Sequence, residues 1–133
     1  MSFLVWLNTI LFSILLALLL NEAYLRIQTK RSVKILTEEE FKENMRKAQV
    51  IDVREKADFD GGHILGARNI PYSVLANSIA SIRKDQPVYL YDQKRTLSIR
   101  AAIKLKKQGY KELYMLKGGY QGWTGKTKVK NPL

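Results

Sequence analysis

The sequence predicts an α/β domain with a central, mainly parallel sheet flanked by helices, preceded by one N-terminal transmembrane helix. The first 21 residues contain no charged side chain, whereas the rest of the chain carries 23 Lys or Arg and 12 Asp or Glu. Beyond residue 33, short β-rich runs alternate with helical patterns, which is typical of a parallel sheet. A length of 133 residues leaves room for one ordinary domain and excludes larger architectures such as a TIM barrel.

The N-terminal segment has the composition of a membrane span. Residues 3–20 include only Asn8, Thr9 and Ser13 as polar members, and as a helix they rise about 27 Å against a hydrocarbon core of roughly 30 Å. A cleaved signal peptide is the alternative, but it needs a basic start and a small-residue cleavage site, which the segment lacks. We therefore expect an uncleaved anchor over residues 1–24 that contacts membrane lipid through residues 3–20.

The flank of this segment sets its expected orientation. Residues 25–32 form a basic juxtamembrane linker that contains Arg26, Lys30 and Arg31, against Glu22 as the nearby acid. Because positive flanks stay in the cytoplasm, we expect a single-pass protein of the cell membrane with its N-terminus outside and its domain cytoplasmic. Basic residues beside an anionic leaflet contribute about 1 kcal/mol each, so the linker should hold the domain near the headgroups.

The domain predicted over residues 33–124 begins with a strand and a helix. The short apolar run at 33–36 predicts the strand. A capping box follows, with Thr37 at the cap and Glu40 three residues later. Apolar residues then recur at helical spacing over 41–48, so we expect a helix after the cap.

The middle of the domain continues the alternation. The β-rich run at 50–53 predicts a strand, and the Asp- and Gly-rich residues 58–62 predict a turn. Residues 67–70 predict a short strand that Pro71 ends. Apolar residues spaced over 74–82 fit one face of a helix.

The last part of the domain contains the clearest strand. Residues 87–91 read PVYLY, a run of β-branched and aromatic residues. A helix is predicted from Leu97 to Gly109, where the glycine is a natural C-cap. Residues 113–116 predict a further strand, after which a glycine pair turns the chain. We expect the basic tail at 125–133 to be loose.

Two stretches of the domain contain recognisable motifs. Residues 51–71 contain D-V-R, G-H-I and G-A-x-N-I-P, and residues 110–123 end in G-G-x-x-x-W. In these motifs the chain resembles the rhodanese-like domain family. The resemblance covers residues 33–124 and implies a small α/β domain with a central parallel sheet. It also implies sulfur-transfer chemistry, carried by a persulfide-forming cysteine on the loop that follows the strand at 87–91.

The chain departs from the family at this loop. The family's loop resembles C-x-x-G-x-R-S followed by a helix with two alanines, and here Ser98, Ala101 and Ala102 set the register. The cysteine position is then Asp92, and the chain has no cysteine at all. Sulfur transfer needs a polarisable thiolate, so we predict no catalytic residue. The other loop equivalents are Gln93, Lys94, Arg95 (for the glycine), Thr96, Leu97 (for the arginine) and Ser98.

We therefore predict a membrane-anchored, catalytically inactive rhodanese-like domain that acts as a binding or scaffold module. The alternatives are an active sulfurtransferase, against which the missing cysteine argues, and altered chemistry that uses Asp92. Three roles for Asp92 stay open at this point. Its carboxylate can accept the free N–H groups that begin the next helix, it can be a solvent-facing strand end, or it can form an aspartyl-phosphate, which needs a metal and further carboxylates.

The remaining signature residues have structural expectations. Asp52 and Arg54 should hold the sheet edge and the adjacent loop through charge-assisted hydrogen bonds. His63 is a lone histidine, more typical of a satisfied structural residue than of a catalyst. With one histidine and no cysteine, we expect no metal and no cofactor. The other signature residues are Gly118 and Gly119, expected in a tight turn, and Trp123, expected as a core or lid aromatic.

Two basic residues are candidates for ligand binding. Lys94 and Arg95 lie on the loop over the former pocket, so they are candidates for an anionic ligand or an acidic protein partner. Lys104, Lys106 and Lys107 fit a solvated helix face. No nucleic acid is expected as a partner, because the chain has no nucleic-acid motif and is predicted to be anchored.

Overall fold

A computed structural model describes the backbone of residues 2–130 and the side chains of residues 2–27 and 33–130. The chain forms two compact units, one ending at Arg31 and the other beginning at Ser32. The predicted basic side chains of Lys30 and Arg31 lie outside the described residues, as do the last three residues of the predicted tail.

The first unit is one long helix, α1 (Phe3–Ser32). Its apolar stretch, Phe3–Ile27, is long enough to cross a membrane by length and composition, a test that a signal sequence also passes. The hydroxyls of Thr9 and Ser13 each donate to a backbone carbonyl four residues earlier at 2.8 Å, so these polar groups are satisfied inside the helix. The predicted linker continues the same helix through residue 32.

The second unit is built on a five-stranded sheet in which every neighbouring pair is parallel. Its strand order is β1-β6-β5-β2-β4, and a separate antiparallel pair joins β3 to β7. The predicted α/β fold with a central parallel sheet flanked by helices is confirmed. The strands are β1 (Lys34–Leu36), β2 (Gln49–Asp52), β3 (His63–Ile64), β4 (Arg68–Asn69), β5 (Val88–Tyr91), β6 (Leu113–Leu116) and β7 (Thr127–Lys128).

In the part of the chain that the structure describes, four α-helices accompany the sheet, and the first has the predicted capping box. The Thr37 hydroxyl accepts from the Glu40 backbone N–H at 3.2 Å, and the Glu40 carboxylate accepts from the Thr37 backbone N–H at 3.4 Å. These two bonds satisfy N–H groups that the start of a helix leaves without partners. The helices are α2 (Glu38–Asn44), α3 (Lys56–Gly61), α4 (Leu75–Ser78) and α5 (Thr96–Lys107).

Two predicted elements in the middle of the domain are wrong. Residues 58–62 do not form a simple turn, because α3 occupies most of them; Asp58 suits the first turn of a helix, and Gly62 ends it at φ +155°. The single helix predicted over 74–82 is interrupted after α4 by a 3₁₀ turn. There the Tyr110 hydroxyl lies 2.9 and 2.6 Å from the carbonyls of Ile79 and Ile82, a contact distant in sequence.

The predicted loose tail is also partly wrong. β7 lies inside it and pairs with β3, with His63 opposite Lys128. The backbone N–H groups of Leu65 and Lys130 add bonds to Lys126 and Asp60 at 3.1 and 3.0 Å. A two-residue strand leaves no readable pattern in a sequence, because its partner alone makes it a strand.

The sheet buries side chains on both faces, as parallel sheets do. Along β2 the residues alternate: Val50 packs in the cluster that contains Phe41 of α2, and Ile51 packs in the cluster that contains Leu105 of α5. Both Ile51 and Phe41 are fully buried. Both clusters contain residues of β2 and of its neighbour β5, so these strands are packed on both faces. The loops that follow them therefore start from a rigid part of the sheet.

Candidate functional site

The candidate site lies where the two central strands end. β2 and β5 are parallel neighbours, and Asp52 of β2 is paired with Tyr91, the residue before Asp92. Ligands of open α/β sheets bind outside the carboxyl ends of the strands. Both carboxylates are buried there, with exposed fractions of 0% for Asp52 and 4% for Asp92.

Asp92 is bonded to the start of α5. Its Oδ2 accepts from the Leu97 backbone N–H at 3.1 Å, and its Oδ1 accepts from the Ser98 hydroxyl at 2.6 Å and the Ser98 backbone N–H at 3.4 Å. These are the second and third N–H groups of a twelve-residue helix, which have no partner within the helix itself. The carboxylate therefore stands where the helix favours an anion, and it does not face solvent.

The loop takes a backbone that its arginine tolerates. The sequence register predicts Arg95 at the position of the family's loop glycine, and its φ of −163° is negative, so the loop does not need the left-handed backbone that favours glycine there. Lys94 and Arg95 are both exposed, so the loop presents two cations outward while Asp92 points inward to its own helix.

The glycine pair lies against this loop. Gly119 has φ +61°, and a Cβ on it would lie 2.3 Å from the Lys94 carbonyl oxygen and 2.6 Å from that of Gln93. Only glycine fits such a close approach of two backbones. Beside it, the N–H groups of Tyr120 and Gln121 donate to the carbonyls of Asp92 and Gln93 at 2.8 and 3.0 Å. The turn after β6 thus holds the loop in place through backbone atoms.

Asp52 and Arg54 form a buried ion pair. The Arg54 Nη2 lies 2.7 Å from Asp52 Oδ2, its Nε lies 3.0 and 3.1 Å from the two carboxylate oxygens, and its backbone N–H donates to Oδ1 at 2.9 Å. The same guanidinium donates to the Gly62 carbonyl at 2.7 Å and stacks over the Tyr120 ring at 4.4 Å. Its Nη1 lies 3.5 Å from Gln93 Oε1. Arg54 therefore joins the sheet edge to three loops.

The negative charge of Asp52 acts on the pKa of two neighbouring groups, Arg54 and Tyr91. Burial acts to lower the pKa of Arg54, but the hydrogen bonds and negative charge of Asp52 outweigh it and raise that pKa. Burial, followed by the charge of Asp52, raises the pKa of Tyr91. The Tyr91 hydroxyl accepts from the Ile64 backbone N–H at 3.0 Å, so it is a neutral structural group.

The remaining predicted residues lie apart from the loop. His63 is buried, stacks on the Phe59 ring at 3.6 Å, and has its Nδ1 2.7 Å from the Phe59 carbonyl. Trp123 is half-buried with its edge on Phe41 and its Nε1 bonded to the Lys126 carbonyl at 3.1 Å. Neither has a contact with Asp92 among those that the described residues make.

Sequence reasoning missed two residues that organise the site. The Asn69 side-chain amide donates to the carbonyls of Asp52 and Arg54 at 3.0 and 2.9 Å, and it belongs to the G-A-x-N-I-P signature, which could have identified it. Tyr120, which supports the Arg54 guanidinium, had no such signal. Within residues 2–130, no three His, Asp or Glu side chains gather as metal ligands would.

The chain is similar in sequence and in fold to known proteins. The model of the rhodanese-like domain family matches residues 37–126. The uncharacterized protein YqhL of Bacillus subtilis is 56% identical over 104 residues, covering 78% of this chain and 82% of that protein. The thiosulfate sulfurtransferase GlpE of Pseudomonas aeruginosa is 36% identical over 76 residues, covering 57% of this chain and 69% of that one. A rhodanese-like domain protein from Staphylococcus aureus has the same fold, with a TM-score of 0.66 at 22% identity over 74% of this chain and all of the other.

Proposed function

The chain belongs to the rhodanese-like domain family, and we propose that it is a membrane-anchored member that binds or scaffolds a partner and transfers no sulfur. One observation carries the proposal: Asp92, which the sequence register assigns to the family's cysteine position, has a buried carboxylate bonded to Leu97 and Ser98 of its own helix. Where a family cysteine would carry the sulfur, the chain has a carboxylate bonded to its own helix.

The chemistry of a carboxylate supports this proposal. Sulfur transfer stores sulfane sulfur as a persulfide on a thiolate, and a carboxylate oxygen is a weak nucleophile that cannot hold such sulfur stably. The sequence has no other thiol to take the role. Both oxygens of Asp92 accept bonds from α5, which also argues against a new reaction at this residue.

A sulfur-transfer assay tests the absence of activity. The full chain in mild detergent should transfer no sulfur from thiosulfate to cyanide, whereas the Pseudomonas aeruginosa thiosulfate sulfurtransferase serves as the active control. Asp92→Cys should restore little activity, because Arg95 and Leu97 keep the loop different from the family's. Turnover in the wild-type protein that is lost in Asp92→Ala would refute the proposal.

The exposed loop supports a binding role. Lys94 and Arg95 stand at the start of α5, and no carboxylate pairs with either among the side chains that the structure describes. Unpaired cations on a rigid loop favour an acidic surface through complementary potential. We propose an acidic protein as the partner, held at this loop.

A pull-down from membranes tests the partner surface. The full chain should capture its partner, and the Lys94→Ala/Arg95→Ala double variant should lose it. Lys106→Ala/Lys107→Ala is the matched control, because it removes the same charge from exposed positions of α5 outside the loop. Equal loss from both double variants would mean that net charge, and not the loop, governs capture.

The proposed anchor is α1, with the domain in the cytoplasm. Its support is the apolar stretch Phe3–Ile27 and the basic residues that follow it in the sequence. A membrane-impermeant amine reagent applied to intact cells should modify no lysine beyond residue 33. Modification of these lysines from outside would mean that the orientation is opposite to the proposed one. Recovery of a protein lacking residues 1–24 would show that the segment is a cleaved signal sequence.

A further inference from the structure

A second concave surface lies away from the loop that carries Asp92. It is a cleft of about 650 Å³ between α2 with its following turn and the segment that leads into β7. Pockets for small organic ligands span roughly 300–1,000 Å³, so the cleft has a suitable size. None of residues 92–98 lines it.

The floor of the cleft is apolar. It is formed by Met45, Ala48, Val50 and Leu65 and by the indole of Trp123. The polar Nε1 of that indole already donates to the Lys126 carbonyl, so the ring adds apolar surface to the cleft. Such a floor favours an aliphatic or aromatic group.

The rim of the cleft is cationic. Lys42, Arg46 and Lys126 line it, and its lining contains no acid. Lys42 is partly neutralised by Glu38 at 3.5 Å and lies 5.3 Å from the centre of the Trp123 ring. In the part of the chain that the structure describes, no carboxylate forms an ion pair with Arg46 or Lys126. Two free cations beside an apolar floor are complementary to an anion that carries an apolar body.

We propose that this cleft binds a small organic anion, with a carboxylate or phosphate head on an apolar body. The head lies against Arg46 and Lys126, because a guanidinium offers two parallel donors to either group. The body covers Met45 and Val50 and contacts Trp123. The ligand is small and not a protein segment, because the cleft is concave and its volume matches that of small-ligand pockets.

Titration with octanoate tests the proposal on the full chain. The protein is held in discs of zwitterionic phospholipid, and Trp6→Phe leaves Trp123 as the single tryptophan, whose emission reports on the cleft. Octanoate should change the Trp123 emission saturably. Octanamide, with the same body and no charge, should bind at least about tenfold more weakly, and acetate, with the head alone, should have no effect.

Paired variants locate the binding. Arg46→Ala/Lys126→Ala should weaken octanoate binding about three- to tenfold, as expected for two partly exposed charges. Arg100→Ala/Lys111→Ala removes the same charge from exposed positions outside the cleft and should leave binding unchanged. Ala48→Leu fills the floor and should abolish binding while thermal unfolding shows an intact domain.

The other outcomes overturn the proposal. Equal binding of octanoate and octanamide would show an apolar cavity with no anion preference. Equal loss from both double variants would show attraction by net charge alone, and the absence of saturable binding to the wild-type protein would show that the cleft takes no such ligand. These results do not depend on the sulfur-transfer assay, since Asp92 lies outside the cleft.

Discussion

Two buried aspartates end neighbouring strands of the sheet, and they are stabilised in different ways. Asp52 of β2 is paired with the guanidinium of Arg54 through contacts of 2.7 to 3.1 Å. Asp92, directly after β5, has no ion pair among the described side chains and accepts instead from the start of α5. A single residue type at one sheet edge therefore serves once as half of a charge pair and once as a helix cap.

The difference determines what each carboxylate requires. Asp52 is fully buried and needs a cation, because an unpaired charge inside a protein is strongly destabilising. At Asp92 it is the start of α5 that needs an acceptor, and the N–H groups of the helix can donate to an acceptor of the right shape whether or not it is charged. The charge pair should therefore be the less replaceable of the two.

The largest expected effect comes from breaking the charge pair. Arg54→Ala leaves Asp52 buried without a cation and removes the donor to Gly62, so we expect the free energy of unfolding to fall by about 3–5 kcal/mol. The measurement is urea unfolding of the full chain in detergent, followed by Trp123 fluorescence in a Trp6→Phe background.

An exposed pair is the matched control for this prediction. Arg83 and Asp85 lie 2.6 Å apart but are both more than half exposed, so Arg83→Ala should cost less than about 1 kcal/mol. A double variant, Asp52→Leu/Arg54→Met, should be more stable than Arg54→Ala, because it leaves no unpaired charge. If Arg54→Ala were as mild as Arg83→Ala, burial would not be what makes the pair important.

Local patterns explain most of what the sequence predicted. The capping box at Thr37 and the strand at Val88–Tyr91 depend on neighbouring residues, and both are present. The contact between Asp92 and Ser98 spans six residues of one loop, so helix capping was a natural hypothesis for it. The predicted membrane orientation and the partner surface stay predictions.

Contacts between distant segments explain the rest. β7 exists because it pairs with β3, some 60 residues earlier along the chain, and the sequence between them contains no sign of that pairing. Tyr120 reaches Arg54 across two loops, and its role follows from packing alone. The cleft at Trp123 is likewise assembled from three separate segments, so no motif indicates it.

The second effect concerns the helix cap. Asp92→Ala removes the acceptor for Leu97 and Ser98, so we expect a loss of about 0.5–2 kcal/mol in the free energy of unfolding at pH 7. Asp92→Asn should lose less, because its amide oxygen still accepts a bond. The same urea unfolding experiment measures both variants.

Asp85→Ala controls for the loss of one carboxylate from the surface and should change stability by less than Asp92→Ala does. Asp92→Ala as stable as the wild-type protein would mean that the loop N–H groups find another partner, and the comparison with Asp52 would then fail. A loss from Asp92→Asn as large as that from Asp92→Ala would mean that the charge of Asp92, and not its shape, matters.

The smallest effect comes from a third carboxylate, which is partly exposed. Glu38 accepts from the Thr124 backbone N–H and, at 2.6 Å, from its hydroxyl, and it lies 3.5 Å from Lys42. Burial acts to raise the pKa of Glu38, but the bonds from Thr124 and the charge of Lys42 outweigh it and lower that pKa below its ordinary 4.5.

A carboxylate with a lowered pKa adds stability that is present above its unfolded pKa and is lost as the pH falls through its lower folded value. Glu38→Gln should therefore cost less than about 1 kcal/mol at pH 7 and less still at pH values below 4.5. The difference in stability is measured from the urea midpoints of the wild-type protein and Glu38→Gln, compared from pH 7 to below pH 4.5. Glu39→Gln, which changes an exposed neighbour, is the control. A Glu38→Gln difference that grew toward acid pH would have the wrong sign for this carboxylate.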